Sequence, residues 1–219
     1  MNNIFSHPHI NTRFHPQFMW SKISSLCAQS HSSLLNQVHS HRAVYRNKPW
    51  LRKKRADAQR TDRAWLKLFV WFADCIPILF YATQPKLIIW TIHAGWKGVH
   101  GNIIAETIDQ LKQEQIDINS LHCWIGPSIC PDCFEFWADG TDPYTLFDHD
   151  CIHTNNKGLR NIDTRKMLEN QLLQQWVHAP HISHDRRCTN ETLELCSWRR
   201  DGIKGKNNYA WIEITQNEL

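Results

Sequence analysis

Between residues 86 and 111 the chain (KLIIWTIHAGWKGVHGNIIAETIDQL) changes its hydrophobic period. Residues 86–92 form an apolar, β-branched run of strand length. The glycines of His93-Ala94-Gly95-Trp96-Lys97-Gly98 then permit a sharp turn and close backbone approach. Beyond the turn Ile103, Ile104, Thr107, Ile108 and Leu111 recur at helical spacing, so a helix is predicted to leave it. A histidine ending a strand beside a helix start lies next to exposed backbone N–H groups, which attract anions. Taken alone, such a histidine is most simply a hydrogen-bonded residue at a strand end.

The same reading organises the rest. Residues 65–81 (WLKLFVWFADCIPILFY) have the composition of a strand buried on both faces, interrupted by Asp74 and Cys75. Pro77 cannot donate to a ladder, so the chain should bulge or change strands near it. Residues 121–129 predict a strand running into Gly126-Pro127, and residues 209–214 (YAWIEI) a final alternating strand. Asp163 predicts the N-cap of a helix over 164–177 with Met167, Leu168, Leu172, Leu173 and Trp176 on its apolar stripe. A short helix is expected within 21–38. The polar residues 1–20 read as a loose terminal arm, although His7, His9 and His15 could form a metal tract. Residues 137–160, with Gly140, Pro143 and Gly158, read as a long loop or short helical insertion. Arg52-Lys53-Lys54-Arg55 reads as a solvated loop face. No internal repeat or linker divides the chain.

Composition narrows the class. At 219 residues the chain can bury a full core, and 42% hydrophobic with 21% charged residues argues against disorder. A net charge of +4 gives no electrostatic case for a nucleic-acid partner. Eight cysteines are too sparse for a disulfide scaffold and read as reduced thiols of a cytoplasmic protein. The N-terminus lacks the basic segment and apolar core of a secretory signal, and no uncharged stretch reaches membrane-spanning length. Cys130-Pro131-Asp132-Cys133 is a single CxxC, which is a weak metal signal where a pair would be strong. A thioredoxin-like role needs a strand–CxxC–helix context that the flanking Gly-Pro and Phe-Glu-Phe do not clearly supply.

Three residues beside apolar segments carry the candidate chemistry: His39, Cys75 and His93. Two imidazoles and a thiolate are a good zinc set, and three protein ligands leave a fourth tetrahedral position for water or substrate. No HxxxH fixes them locally, so they must converge through the fold. The rival enzyme reading makes Cys75 a nucleophile and His93 its base. Asp74 is a candidate general acid/base, or a partner that orients a ligand histidine.

Gln37-Val38-His39, Ala56-Asp57-Ala58, Ala73-Asp74-Cys75-Ile76-Pro77, His93-Ala94-Gly95-Trp96-Lys97-Gly98, Ile125-Gly126-Pro127-Ser128-Ile129, Phe134-Glu135-Phe136, Cys188-Thr189 and Ser197-Trp198-Arg199-Arg200-Asp201 occur in one order. In that order and approximate spacing the chain resembles the YfiH-like family, also called multicopper polyphenol oxidase (laccase) domain proteins. The resemblance runs from His39 to Ile214. It divides the chain into a divergent arm, 1–36, and a YfiH-like domain, 37–219. It implies an α+β fold: a single-domain mixed β-sheet sandwich flanked by helices. It also implies a zinc site of His39, Cys75 and His93, although copper has been assigned to the family. The activity implied is phosphorolysis of adenosine, inosine and S-methyl-5'-thioadenosine, with adenosine deamination, by a monomer or small homo-oligomer whose partners are purine nucleosides and phosphate. A non-catalytic nucleoside-binding homologue is the alternative from another class. Within this frame Cys75, His93 and Asp74 are the catalytic candidates. Arg199, Arg200, Lys97 and the backbone after His93 are candidate anion contacts, and Trp96 is a candidate stacking surface for a purine. Lys97 stands where the family usually has Arg, and Lys204-Gly205-Lys206 where it has Thr-Gly-Arg.

Overall fold

The longest apolar runs become the strands that are covered on both faces. A computed structural model describes residues 3–19, 22, 25, 31–136, 142–155, 158–202 and 206–215, without the side chains of 50–53 and 143. Along the chain run β1 (Ile10–Met19), β2 (Ser32–Asn36), β3 (Ala43–Tyr45), β4 (Trp50–Arg55), β5 (Ala58–Thr61), β6 (Lys67–Phe72), β7 (Ile76–Ala82) and β8 (Ile88–Ala94). Helices α1 (Trp96–His100) and α2 (Ile103–Gln113) follow, then β9 (His122–Ile125), β10 (Ile152–Thr154), β11 (Arg160–Ile162), α3 (Thr164–Gln174), β12 (Ile182–His184), α4 (Trp198–Asp201) and β13 (Lys206–Ile214).

Two mixed sheets face each other. One has the order β1-β13-β6-β2-β4 and the other β12-β9-β7-β8-β5-β3, while β10 and β11 pair as a separate hairpin. Between the sheets lie Leu68, Val70, Ala210 and Ile212 from the first, with Leu79, Tyr81, Ile89 and Trp124 from the second. The alternate residues of β7 and β8 (Ile78, Phe80, Ile88, Trp90 and Ile92) point the other way, onto Ile104 and Ile108 of α2 and Leu168 and Leu172 of α3. Period-2 alternation thus feeds two cores at once, and every residue of β7 and β8 is buried.

Several elements differ from the sequence reading, each for a local reason. The run 65–81 is two strands in different sheets. β7 is buried on both faces and β6 keeps Phe69 and Trp71 on its outer face, so the pattern stays apolar across the corner. The break falls at residues 73–75, where Asp74 adopts φ 83°. Pro77 stays inside β7, opposite His93, with its carbonyl accepting from Gly126 N–H at 2.9 Å. The helix expected after the glycine turn is two helices. They part at Asn102, whose left-handed backbone (φ 55°) lets its side chain cap α2 through Ala105 N–H at 3.0 Å. Asp163 does cap α3, but Leu173 and Trp176 of its expected stripe face solvent.

The helix expected within 21–38 is contradicted over 32–36 by β2, and most of 20–30 lies outside the described residues. The basic run 52–55 belongs to the edge strand β4, where positive charge discourages further pairing. The region 137–160 contributes short 3₁₀ turns at Pro143–Thr145 and His149–Cys151 and half of the β10–β11 hairpin, while 137–141 and 156–157 lie outside the described residues.

The loose terminal arm is likewise corrected. Residues 10–19 are β1, in antiparallel register with β13 from Ile10↔Ile214 to Met19↔Lys206. Phe5 and Ile10 enter the core between the sheets, and Ile10 is 1% exposed. The arm escaped the pattern because only one side of β1 is buried and Asn11, Arg13 and His15 occupy much of the other. Ile10→Ala should therefore destabilise the protein by about 2–4 kcal/mol in urea melts. A loss under about 0.5 kcal/mol would show that the arm is dispensable.

Candidate metal centre

The centre is assembled by one carboxylate. Asp57, in the short connection between β4 and β5, has a fully buried side chain. Its two oxygens accept from the backbone N–H groups of Val38, His39 and Ser40, at 3.1, 2.9 and 2.7 Å, and from Ser40 Oγ at 2.7 Å. Oδ1 also lies 2.9 Å from His93 Nδ1. These bonds wrap the 38–40 loop around the carboxylate and fix the ring of a histidine at the end of β8. Gln37 anchors the loop's near end to β6, through Nε2 on the Trp71 carbonyl at 2.8 Å and Oε1 on Trp71 N–H at 3.1 Å. His39 is held at φ 57°, which turns its ring toward the corner that carries Cys75.

Here the three predicted ligands meet. His39 Nδ1 and Cys75 Sγ are 3.9 Å apart, the two imidazole centroids 4.9 Å, and one ligand atom from each residue lies within 4.8 Å of the other two. Because Nδ1 of His93 is committed to Asp57, Nε2 is the nitrogen left for a ligand. Gly95 supplies the remaining room: a Cβ there would stand 2.8 Å from His39 Nδ1 and 3.1 Å from Cys75 Sγ. A glycine-lined space ringed by two imidazoles and a thiol suits a tetrahedral soft-to-borderline cation.

The electrostatics agree with the geometry. Burial pushes the Cys75 thiol up, but the charge and hydrogen bonding of His93 and His39 outweigh it and bring it down to about 6. Burial lowers His93, yet the facing Cys75 thiolate and the Asp57 carboxylate hold its proton up to about 9. Asp57 itself stays below the usual carboxylate range despite burial, chiefly through its bond to His93. The metal-free pair is thus thiolate and imidazolium between about pH 6 and pH 9.

Other sequence candidates are dispersed around this centre. The carboxylate bonded to a candidate-ligand histidine is that of Asp57, whereas the bonds of Asp74 go elsewhere. The Asp74 carboxylate accepts from Thr189 Oγ1 at 2.6 Å and from Arg199 N–H at 2.7 Å, so it fastens α4 and the 189 segment to the Cys75 corner. Arg200 is no anion contact: its guanidinium is consumed by Asp201 and by the carbonyls of Thr189, Asn190, Thr192 and Leu195. Arg199 donates to the Glu135 carbonyl and lies over Phe134. Trp96 packs edge-on against Phe136, with the Lys97 ammonium 5.4 Å from its ring centroid. The helix start after His93 is the five-residue α1, too short to supply much of a dipole for an anion. A hollow of about 350 Å³ on the outer face of the first sheet is lined by Arg13, His15, Tyr209 and Trp211 among others, and none of the candidates lines it. Asp57 is the residue the sequence reading left without a role. Its signal was a lone acid between two alanines at the mouth of a buried strand.

Two facing mixed sheets, a helical layer and a His/Cys/His cluster at a strand corner define an α+β protein with a candidate mononuclear metal centre. The chain belongs to the multi-copper polyphenol oxidoreductase laccase family, whose model matches residues 20–213, beginning ahead of the Gln37 motif. A purine nucleoside phosphorylase of Clostridium acetobutylicum is 30% identical over 71% of this chain and 66% of its own length. Adenosine deaminase RL5, from an unknown prokaryotic organism, is 28% identical over 64% of this chain but 55% of its own. Purine nucleoside phosphorylase YfiH of Shigella flexneri is 29% identical over 81% and 72%. Among solved structures, YlmD of Geobacillus stearothermophilus superposes with a TM-score of 0.76 at 25% identity, covering 90% of this chain and 79% of that one. A Neisseria meningitidis protein gives 0.75 at 20% identity over 96% of each chain, a likeness of fold. No helix of the described residues is long and apolar enough to cross a membrane.

Two outcomes follow from the geometry. Asp57→Asn should leave the chain folded but weaken zinc binding 10- to 100-fold, as read by competition with a chromophoric chelator, because the ligand ring loses its carboxylate. Unchanged affinity would show that His93 needs no such partner. In metal-free protein, alkylation of Cys75 followed by peptide mass mapping should be half-maximal near pH 6. Protonation of the thiol explains the acid side, and the His93 proton, lost only near pH 9, sustains the pair above it. A midpoint above pH 8 would contradict the ion pair.

Proposed function

We propose that the chain is a zinc-dependent enzyme of purine nucleosides, acting by phosphorolysis, with adenosine deamination as a second activity. The observation that carries this reading is the convergence of His39, Cys75 and His93 within 4.8 Å, three ligands that leave one position open. The names of the relatives supply the substrate class, and the deaminase among them favours the second activity. Zinc bound there would supply Lewis-acid polarisation of an oxygen nucleophile.

The chain's own residues do the rest. Asp57 keeps the His93 ring in one tautomer and one orientation. Trp96, half-buried against Phe136 and Phe147, offers an aromatic surface to a purine. Lys97, two residues after Gly95, and Arg199, whose backbone N–H bonds Asp74, are the cations this reading assigns to a phosphate, while the Arg200 guanidinium is engaged by Asp201 and backbone carbonyls. In phosphorolysis a phosphate oxygen bonds to the anomeric carbon as the bond to the purine nitrogen breaks, and the base leaves with that electron pair and a proton. In deamination a water oxygen bonds to the purine carbon that bears the amine, and ammonia leaves. Adenosine, inosine and S-methyl-5'-thioadenosine fit the first reaction. Cytoplasmic residence, the compartment that keeps thiols reduced, is part of the same proposal.

Incubation of the zinc-loaded protein with adenosine should give inosine without phosphate and adenine only with phosphate, and Cys75→Ala should lower both at least 100-fold. Turnover unaffected by zinc removal but abolished by Cys75 alkylation would replace this reading with a cysteine nucleophile. Zinc-replete protein giving neither product would leave a nucleoside-binding homologue.

A further inference from the structure

The isolated CxxC acquires a partner in the fold. Cys130-Pro131-Asp132-Cys133 forms a 3₁₀ turn at Pro131–Cys133, and Cys188-Thr189-Asn190-Glu191 lies against it. One ligand atom each of Cys130, Cys133, Cys188 and Glu191 lies within 4.8 Å of the other three. The chain thus presents two short turns, CxxC and CxxE, each with two donors separated by two residues. That is the paired arrangement that makes a metal signal strong, with a carboxylate in one of the four places. The cluster shares no residue with the His39/Cys75/His93 centre and does not depend on its assignment.

The segments that carry the cluster are held in place by hydrogen bonds. The two segments join through a parallel bridge at Ser128↔Cys188, with Thr189 N–H on the Ser128 carbonyl at 3.0 Å. The buried Arg165 donates to Ser128 Oγ at 2.6 Å and to the carbonyls of Arg186 and Arg187 at 2.8 and 2.7 Å, fixing the approach to Cys188. Asn161 Nδ2 donates to the Pro131 and Asp132 carbonyls at 2.7 and 3.0 Å, fixing the turn that carries Cys133. Cys130 N–H points at Cys188 Sγ at 3.2 Å, and Cys133 Sγ lies 3.7 Å from Glu191 Oε1. Tetrahedral zinc with bonds of about 2.3 Å places its sulfur ligands about 3.8 Å apart, so the cluster needs to contract by no more than about 1 Å.

We propose that Cys130, Cys133, Cys188 and Glu191 form a second, structural site for a divalent zinc ion. Three thiolates select a soft or borderline cation. A carboxylate in the fourth place favours zinc over cuprous copper, which prefers an all-soft set. Four protein ligands close the coordination sphere, so the site is a staple. It joins the segments that hold the Cys75 corner, since Ile129 N–H donates to the Asp74 carbonyl at 3.0 Å and Thr189 Oγ1 to its side chain at 2.6 Å.

Cobalt titration of the full chain in the Cys75→Ala background isolates the site, because any remaining thiolate-to-cobalt charge-transfer absorption must come from cysteines other than Cys75. The expected result is one equivalent of cobalt with that absorption, displaced by zinc and abolished in Cys75→Ala/Cys133→Ser. By elemental analysis, protein purified under reducing conditions should hold one zinc ion per chain more in wild type than in Cys133→Ser. Should Cys133→Ser fail to fold, Glu191→Gln, at an exposed residue, should lower the zinc affinity of the cluster at least tenfold. Absence of the charge-transfer band in folded Cys75→Ala would overturn the proposal. So would a disulfide among these cysteines that survives the reducing purification, or a wild-type zinc content that Cys133→Ser leaves unchanged.

Discussion

The buried Asp57 carboxylate is the interaction on which the candidate centre depends. It brings a formal charge into a space with no solvent, a cost of several kcal/mol unless its lone pairs are met. Five donors meet them: three backbone N–H groups, a hydroxyl and an imidazole. Four of the five come from a single loop that has no regular structure of its own, so the loop takes its shape from the carboxylate. The fifth belongs to β8, every residue of which is buried. An irregular connection is thereby referenced to a buried strand, and His39 on the one is positioned relative to His93 on the other.

The charge ordering at the centre is a chain with alternating sign. Carboxylate, imidazole and thiol follow one another from the interior toward the surface, and each sets the proton affinity of the next. Gly95 keeps the far end open. The family name speaks of several coppers. Among the described residues there are two separate clusters with metal-ligand character, which together offer four cysteines, two histidines and a glutamate. Sulfur at both places suits soft or borderline cations.

Much of this was legible in the chain. The β8–turn–α2 segment, the Asp163 cap, the terminal strand and the three candidate residues His39, Cys75 and His93 all announce themselves by local pattern or motif. What stayed hidden shares one physical cause: it is made of relations between distant residues. The corner at 73–75 is invisible because strands on either side are apolar on both faces, so hydrophobicity does not fall when the chain changes sheet. Asp57 looks like any acid until the backbone of 38–40 is laid over it. Cys130 and Cys133 read as an ordinary CxxC until a turn 58 positions onward supplies Cys188 and Glu191. β1 was missed for the opposite reason: it is an edge strand with one wet side, and its Asn11, Arg13 and His15 mask the few residues, Ile10 first among them, that enter the core.

The pairing of β1 with β13 also dictates when the first sheet can exist during synthesis. In the order β1-β13-β6-β2-β4, the strand nearest the end of the described chain sits between the first strand and the middle ones. Asn11 and Glu213, hydrogen-bonded across that ladder, are 202 positions apart. While the ribosome is still making residues 206–214, β6 must wait with Leu68 and Val70 lacking their neighbours Ile212 and Ala210, and β1 has nothing to pair with. The second sheet, whose strands β5, β7, β8 and β9 are close in sequence, can form well before. The apolar face of the first sheet therefore cannot be closed until β13 has been made, whereas the pairing of β5, β7, β8 and β9 does not wait for it.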